Sequence, residues 1–577
     1  MNNTACPLDC YDACEIIYED HKIKAKKSGH TRGFLCPHLN HYEKNQQIQS
    51  PRYKGVEISM DEALLKLKEL IELGEKNEIL HYRGSGNFAL MQGVTDHFFA
   101  SYGATLTEGS LCDGAGEAGI IEGRGSNKNM PLSQIAKSEV VILWGRNPHT
   151  TSSHLLPLLK DKQIVVIDPV KTKAAKISDL YIQIQPRGDL ELAMLLSRFL
   201  HIEHGCDEQF LEEYASEAED FYELTQNIRI KAVLDKIGVT LGDIGDILAM
   251  VKGKKVAIVC GIGVQKYRNG SEVIRAIDAF ATNLGLFGKE GSGVAYLGNS
   301  KEAIESPFNT KAKRVSKVDT KFSDFKTVFI QGANPLSQMP NSSRVVSDIS
   351  KVENVVYFGL YENETSEAAS LVIPAKSFLY KNDIRTSYSH NAMISMHKQK
   401  DTDIGISEYD LSKFLCKEFG IEIKSEDDYI KHFKNFSVQN IDGAFYVENR
   451  EDIPYKEGFD TDDNEFVFLD EFEVHDYKEE KLFLITSKSP KSLNSQFNRE
   501  ENVYLNSSLG FAEGDLVEIE SSVGNVKLKV KINNDLRNDC VLIYSGTKGV
   551  NNLTSSLHSY EGKNAIFQEE MVVVKSI

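Results

Sequence analysis

Val140-Val141-Ile142-Leu143-Trp144 runs straight into Gly145-Arg146-Asn147-Pro148. A short apolar run closed by Gly and Asn-Pro reads as a strand buried on both faces, as in a parallel sheet covered by helices. In such sheets ligands bind beyond the carboxyl ends of the strands, where glycine lets backbone N–H groups approach a phosphate. For one loop alone the plainer reading wins, since Gly and Asn-Pro make tight turns in many proteins. The chain, however, repeats the unit. Val328-Phe329-Ile330-Gln331 runs into Gly332-Ala333-Asn334-Pro335, with Gly, Asn and Pro each 187 positions after their counterparts. In both copies a further apolar strand follows: Ile164-Val165-Val166-Ile167 ends at Asp168-Pro169, and Val355-Val356-Tyr357-Phe358 leads to Glu362-Asn363-Glu364-Thr365. An acidic residue at such an exit is placed to hold a ribose hydroxyl.

Two related halves are implied, holding two dinucleotides or one elongated pair across a pseudo-twofold axis. Between the copies, Lys255-Val256-Ala257-Ile258-Val259 leads into Gly261-Ile262-Gly263-Val264-Gln265. That glycine-rich exit is a weak signal alone.

At the start of the chain, Cys6-Pro7-Leu8-Asp9-Cys10-Tyr11-Asp12-Ala13-Cys14 is answered by Gly33-Phe34-Leu35-Cys36-Pro37-His38. Three thiolates four positions apart and a distant fourth can surround one inorganic centre, and soft sulfur ligands select an iron–sulfur cluster or zinc. Structural zinc prefers two short Cys/His pairs, so the spacing favours a [4Fe-4S] cluster. Zinc, and unliganded or disulfide-forming cysteines, stay open at this level. The other five of the nine cysteines are scattered singly, which suits a reducing compartment.

With 577 residues the chain is too long for one core. A formal charge of -18 argues against nucleic acid or an anionic membrane surface as partner. No apolar run is long enough to span a bilayer, and no export signal is visible ahead of Cys6, so a cytoplasmic protein is expected.

Ser59-Met60-Asp61-Glu62 reads as a capping box opening an amphipathic helix up to Gly74, and His21 to Lys27 alternates as a strand. Residues 425–480 turn acidic and aromatic and read as a solvated crossover. Beyond Lys481, Leu516-Val517-Glu518-Ile519-Glu520 and Val526-Lys527-Leu528-Lys529-Val530-Lys531-Ile532 flank a Gly524-Asn525 turn, a hairpin from a small barrel.

Taken in order, these features resemble the molybdopterin oxidoreductase family, the dimethyl sulfoxide reductase superfamily. The resemblance covers nearly the whole chain. It implies an α/β protein of interleaved domains, with two pseudo-symmetric parallel-sheet dinucleotide-binding halves, a small N-terminal Fe-S domain and a C-terminal β-barrel. The expected divisions are 1–55 for the cluster, 56–135 for the start of the body with the metal-ligand loop, 136–250 and 251–424 for the two dinucleotide-binding units, 425–480 for the crossover and 481–577 for the barrel.

The implied cofactors are a [4Fe-4S] cluster on Cys6, Cys10, Cys14 and Cys36, and bis(molybdopterin guanine dinucleotide) carrying molybdenum or tungsten. One dinucleotide falls to Gly145, Asn147, Asp168, Gly188 and Asp189. Gly261, Gly263, Gln265, Gly332, Asn334, Glu364 and Thr365 resemble the set for the other. Asn494, Ser495 and Asn552 resemble barrel residues closing over both. Cys112, in the loop Thr107-Glu108-Gly109-Ser110-Leu111-Cys112-Asp113, is the expected metal ligand, a soft donor among glycines, with Asp113 beside it in the catalytic site.

Two departures stand out. Many relatives carry a lysine two positions after the fourth cysteine, where this chain has His38, expected beside the pterin. Formate dehydrogenases follow their metal ligand with a histidine, and Asp113 in that place argues against formate. The implied activity is two-electron redox or oxygen/sulfur-atom transfer on a small-molecule substrate, with electrons passed through the cluster to or from a partner protein. A non-redox hydratase or hydroxyltransferase, and a pterin-less electron-relay subunit, are the alternatives.

Overall fold

The computed structural model describes residues 3–27, 29–439, 444–472 and 481–577. Each apolar run becomes a fully buried strand, and the two glycine exits belong to two different sheets. Val140–Trp144 is the centre of a five-stranded parallel sheet, in the order Leu180–Ile182, Gln163–Ile167, Val140–Trp144, Val256–Cys260, Gly293–Ala295. Thr327–Gln331 lies inside an eight-stranded sheet, in the order Arg314–Ser316, Thr105–Glu108, Ile79–Arg83, Thr327–Gln331, Asn354–Gly359, Leu371–Pro374, Arg52–Tyr53, Val56–Glu57. Its first six strands are parallel, and the last two turn back antiparallel at the edge.

This topology corrects the expected boundary at residue 251. Val256–Cys260 and Gly293–Ala295 complete the first sheet, whereas the second recruits Ile79–Arg83 and Thr105–Glu108 from upstream of the first. Hydrophobic alternation identifies a strand but not its neighbour, so which strands each half of the expected interleaved body takes shows only in the pairing.

The apolar faces of Asp189–Ile202 and Gly270–Asn283 bury the first sheet, with Trp144, Ile258, Leu195 and Phe280 in one core. The helix Met60–Glu72 begins at the expected capping box: Ser59 accepts the Glu62 N–H, and Glu62 takes the Ser59 N–H at 2.8 Å. It covers the second sheet with Leu64, Leu67 and Ile71. The solvated-crossover expectation fails over part of its length. Tyr455, Phe459, Phe466 and Phe468 are buried in the first core, where the aromatic residues repay the ordering of an otherwise acidic stretch. Residues 473–480 of that stretch lie outside the described residues.

The cysteine segment is the loop between Asn3–Ala5 and Glu15–Glu19, which form a small antiparallel sheet with Lys22–Ala25. The C-terminal strands close a six-stranded barrel containing the expected hairpin, Leu516–Glu520 against Asn525–Ile532.

Candidate functional site

One cavity of about 1150 Å³ is shared by both glycine exits, the cysteine segment, the Cys112 loop and the barrel. Two of the glycines that line it are fixed by geometry. Gly145 adopts φ +61°, and a Cβ on Gly261 would sit 1.8 Å from the Gly145 carbonyl oxygen, so the exits of two adjacent strands cross there. Gly263 lines the cavity with nothing within 4 Å of where its Cβ would be. It leaves open space rather than a close contact.

At the first exit, Arg146 is buried with its guanidinium 4.8 Å from the Tyr11 ring centroid and bonded to Ser152. Its Nε has no partner among the described residues. Asn147 braces the turn, bonding the Thr150 hydroxyl at 3.1 Å and accepting the His149 N–H at 3.2 Å. Asp168 and Asp189 both face the cavity. Asp168 accepts the Val170 N–H at 2.9 Å, and Asp189 accepts the Trp144 indole N–H at 2.7 Å. Burial pushes both carboxyls up to about 7. Gly188 does not line the cavity, and a Cβ there would meet Ile237 at 2.8 Å.

At the second exit, Asn334 gathers the expected residues. Its amide N–H groups reach Glu364 at 2.8 Å and Ser495 at 3.1 Å, and its carbonyl accepts the Thr365 hydroxyl at 2.8 Å. Asn334 and Ser495 face the cavity, while Glu364 and Thr365 stand behind, with Glu364 also paired to Arg499 at 2.7 Å. Gly332 makes the turn at φ +54°.

Three further expected cofactor residues also stand off the cavity lining. Gln265 does not reach the cavity; its amide spans the Cys112 loop, donating to the Cys112 carbonyl at 2.7 Å and accepting the Gly116 N–H at 2.9 Å. Asn552 is taken up by the Ser342 hydroxyl at 2.7 Å, and its neighbour Asn551 faces the cavity instead. His38 stacks on Phe497 with centroids 5.6 Å apart, off the cavity lining. Burial and Lys488 lower its pKa.

In the cysteine segment, Cys6 and Cys14 are buried and Cys10 and Cys36 half-buried, all four as free thiols. Cys10 lines the cavity. Burial, then proximity to Cys36, pushes the Cys6 thiol up to about 12. The backbone of the loop is held from outside: the Arg385 guanidinium donates to the Cys6 carbonyl at 3.2 Å and His390 to the Asp12 carbonyl at 2.7 Å. His154 packs over Phe34, bonds Asp12 at 2.9 Å and lies 3.5 Å from the Cys14 sulfur.

Cys112 lines the cavity half-buried, its loop fixed by the Ser110 hydroxyl, which accepts the Cys112 N–H at 2.9 Å. Burial, then Asp113, pushes its thiol up to about 12. Asp113 sits just before the helix Gly114–Arg124, accepts the Ser110 hydroxyl at 3.0 Å, and stays off the cavity lining.

Cations missed in the sequence complete the wall: Lys266, Lys317 and Lys488. Lys488 lies 3.5 Å from Asp9, and Asn494 donates to Asp9 at 2.8 Å, so the barrel meets the cysteine loop there. Lysines in irregular segments carry no periodic signal that separates a lining residue from a solvated one.

The model of the molybdopterin oxidoreductase family matches residues 59–401, and that of the molydopterin dinucleotide binding domain matches residues 482–568. Probable oxidoreductase YyaE of Bacillus subtilis (strain 168) is 28% identical over 441 residues, covering 69% of this chain and 66% of that protein. Trimethylamine-N-oxide reductase of Pasteurella multocida (strain Pm70) is 23% identical over 483 residues, covering 68% and 58%. The match thus spans between 58% and 66% of the length of these curated relatives, less than two thirds. Among solved structures, acetylene hydratase from Pelobacter acetylenicus superposes with a TM-score of 0.81 at 14% identity, covering 100% of both chains, a likeness of fold.

Proposed function

The chain belongs to the molybdopterin oxidoreductase family, and we propose that it is a molybdenum- or tungsten-dependent oxidoreductase acting on a small molecule at Cys112. The observation that carries this reading is the shared cavity: Cys112, Cys10 and both glycine exits line one space. At about 1150 Å³ it exceeds the roughly 300–1,000 Å³ of ordinary small-ligand pockets, as two dinucleotides require. The open space at Gly263 and the orphaned Nε of Arg146 fit a phosphate-bearing group, which needs close backbone approach and charge-assisted donors.

In this reading Cys112 supplies a soft thiolate to the metal, and Asp113 belongs to the same site. Asn147, Asp168 and Asp189 hold one dinucleotide; Asn334 and Ser495, backed by Glu364 and Thr365, hold the other. Asn494 joins the barrel to the cluster loop. Cys6, Cys10, Cys14 and Cys36 hold a [4Fe-4S] cluster. When bound, the metal–pterin group supplies two-electron changes of oxidation level and the cluster supplies single-electron steps. The protein's part is orientation and a fixed electrostatic environment, with a separate electron-transfer protein as partner.

Among the described residues no helix is long and apolar enough to cross a membrane, consistent with the cytoplasmic location proposed.

The test is oxidation of reduced viologen by anaerobically purified protein with trimethylamine N-oxide, dimethyl sulfoxide and nitrate, repeated with Cys112→Ala. Turnover that Cys112→Ala abolishes supports the reading. Hydration without net redox change is the second reading, prompted by the end-to-end match in fold with acetylene hydratase. Turnover of an unsaturated substrate without electron donor or acceptor would favour it.

A further inference from the structure

We infer that His154, held by Asp12 and the Phe34 carbonyl, donates a hydrogen bond to the Cys14 sulfur and thereby raises the reduction potential of the cluster proposed on Cys6, Cys10, Cys14 and Cys36. The inference rests on that cluster and makes His154 a positioning residue, not a ligand.

The first glycine exit carries His154 to the cysteine loop. After Gly145 the chain passes Arg146, whose guanidinium lies over the Tyr11 ring and bonds Ser152. Ser152 turns the backbone at φ +63°, and the 3-10 helix Ser153–Leu159 follows, anchored in the first core by Leu155, Leu158 and Leu159. Neighbouring residues divide the work: Leu155 enters the core, and His154 meets Asp12 and Cys14. All three of those polar residues are buried.

The partners fix the ring. Asp12 accepts the His154 backbone N–H at 3.2 Å and lies 2.9 Å from ring Nδ1, while Nε2 lies 3.2 Å from the Phe34 carbonyl. The Phe34 ring stacks on the imidazole with centroids 4.3 Å apart. Phe34 and Asp12 each stand two positions before a proposed ligand, Cys36 and Cys14, so the imidazole ties the two parts of the ligand set together. A carbonyl only accepts, so Nε2 carries hydrogen. Nδ1 faces the Asp12 carboxylate and, at 3.5 Å, the Cys14 sulfur, which accept when ionised, so it donates as well. Neither nitrogen keeps a lone pair for iron.

The four sulfurs lie within electrostatic reach of one another: burial, then Asp12 and the other three cysteines, raises the Cys14 thiol, as a shared iron centre requires of its ligands' spacing. Backbone N–H groups of Leu8, Asp12 and Leu39 serve the sulfurs of Cys6, Cys10 and Cys36. Cys14 is served by a side chain, which a substitution can remove. Arg385, the other buried cation at this loop, spends its donors on the carbonyls of Cys6, Cys10 and Phe88. Adding an electron to a centre ringed by four thiolates and Asp12 is opposed by their charge. A donor at one sulfur, away from water, stabilises the reduced state more than the oxidised one.

The experiment uses anaerobically purified wild-type, His154→Leu and His154→Gln proteins grown with ¹⁵N-histidine. Dithionite supplies one electron to the oxidised cluster through mediators, with no bond at His154 broken, and electron paramagnetic resonance follows the titration. The reduced wild-type cluster should show a weak ¹⁵N coupling that is absent from His154→Leu, with iron content equal in the two. The equilibrium constant for reduction should fall at least about tenfold in His154→Leu, a shift of about 59 mV to lower potential, as expected for one charge-assisted hydrogen bond. His154→Gln, which keeps an N–H, should stay within about threefold of wild type. An unshifted potential in His154→Leu, no ¹⁵N coupling in wild type, or the strong coupling of an iron-bound nitrogen overturns the inference. If His154→Leu loses its iron, the wild-type coupling and the potential of His154→Gln decide. Wild-type protein with no cluster signal would refute the proposed cluster itself, whereas a cluster without the coupling refutes only the role of His154.

Discussion

Gln265 spans the Cys112 loop: its side-chain N–H meets the Cys112 carbonyl at 2.7 Å, and its carbonyl takes the Gly116 N–H at 2.9 Å. A residue on the exit of the Val256–Cys260 strand thereby sets the backbone that carries the proposed ligand. The two bonds belong to one buried amide, so a single substitution removes both. Gln265→Leu keeps the volume and should cost about 2–4 kcal/mol, the penalty for two backbone groups left unpaired. Thermal melts and metal content check this, with Gln265→Glu, which keeps an acceptor for Gly116, falling between.

The glycine floor yields a contrast within three positions. Gly261→Ala drives a Cβ to 1.8 Å from the Gly145 oxygen, a backbone clash that no rotamer relieves. It should destabilise the protein by about 3 kcal/mol or more. Gly263→Ala meets nothing within 4 Å and keeps a negative φ, so its melting temperature should stay near wild type while pterin content drops. Equal pterin content in both variants would remove Gly263 from the cofactor's path.

Asp96 makes stability depend on acid. Burial raises its carboxyl, but Arg83 and His81 outweigh burial and hold it well below the usual carboxylate range. A carboxyl with a depressed folded pKa contributes stability that is present above its unfolded pKa of about 3.9 and is lost as pH falls toward the folded value. Asp96→Asn should therefore be less stable than wild type by about 3 kcal/mol near pH 7, with the gap closing below about pH 4. A gap that is constant from pH 3 to 7 in urea titrations would contradict the pairing.

Much of this architecture was legible because it is local. The strand exits at Gly145 and Gly332, the Ser59 capping box and the Gly524-Asn525 hairpin are each written in a few adjacent residues. What was not legible depends on distant partners. That Val256–Cys260 lies against Val140–Trp144 is decided by pairing across more than a hundred residues, so the Gly261 exit was expected in the wrong half. Asn551 and Asn552 are the same residue type one position apart, and only the local 3-10 turn decides which faces the cavity. Gln265 was expected at the cofactor because Gly261 to Gln265 resembles a family motif, yet its amide finds two backbone groups of the Cys112 loop.

Arg385 should prove a support for the cysteine loop without being a ligand. Its buried guanidinium reaches the Cys6 carbonyl at 3.2 Å and the Phe88 carbonyl at 2.9 Å. Arg385→Met should lower iron content and melting temperature together, by about 2–3 kcal/mol for charge-assisted bonds lost from a buried site. Arg385→Lys, which reaches only part of that fork, should recover little of it.

The central claim is that Cys112 and the four N-terminal cysteines serve one cofactor assembly in a shared cavity. Metal and pterin analysis of anaerobically purified protein tests it most directly. The account predicts about four iron, about one molybdenum or tungsten and about two pterins per chain, with the molybdenum or tungsten lost in Cys112→Ala while the iron stays. Iron without pterin, or zinc alone, would contradict it.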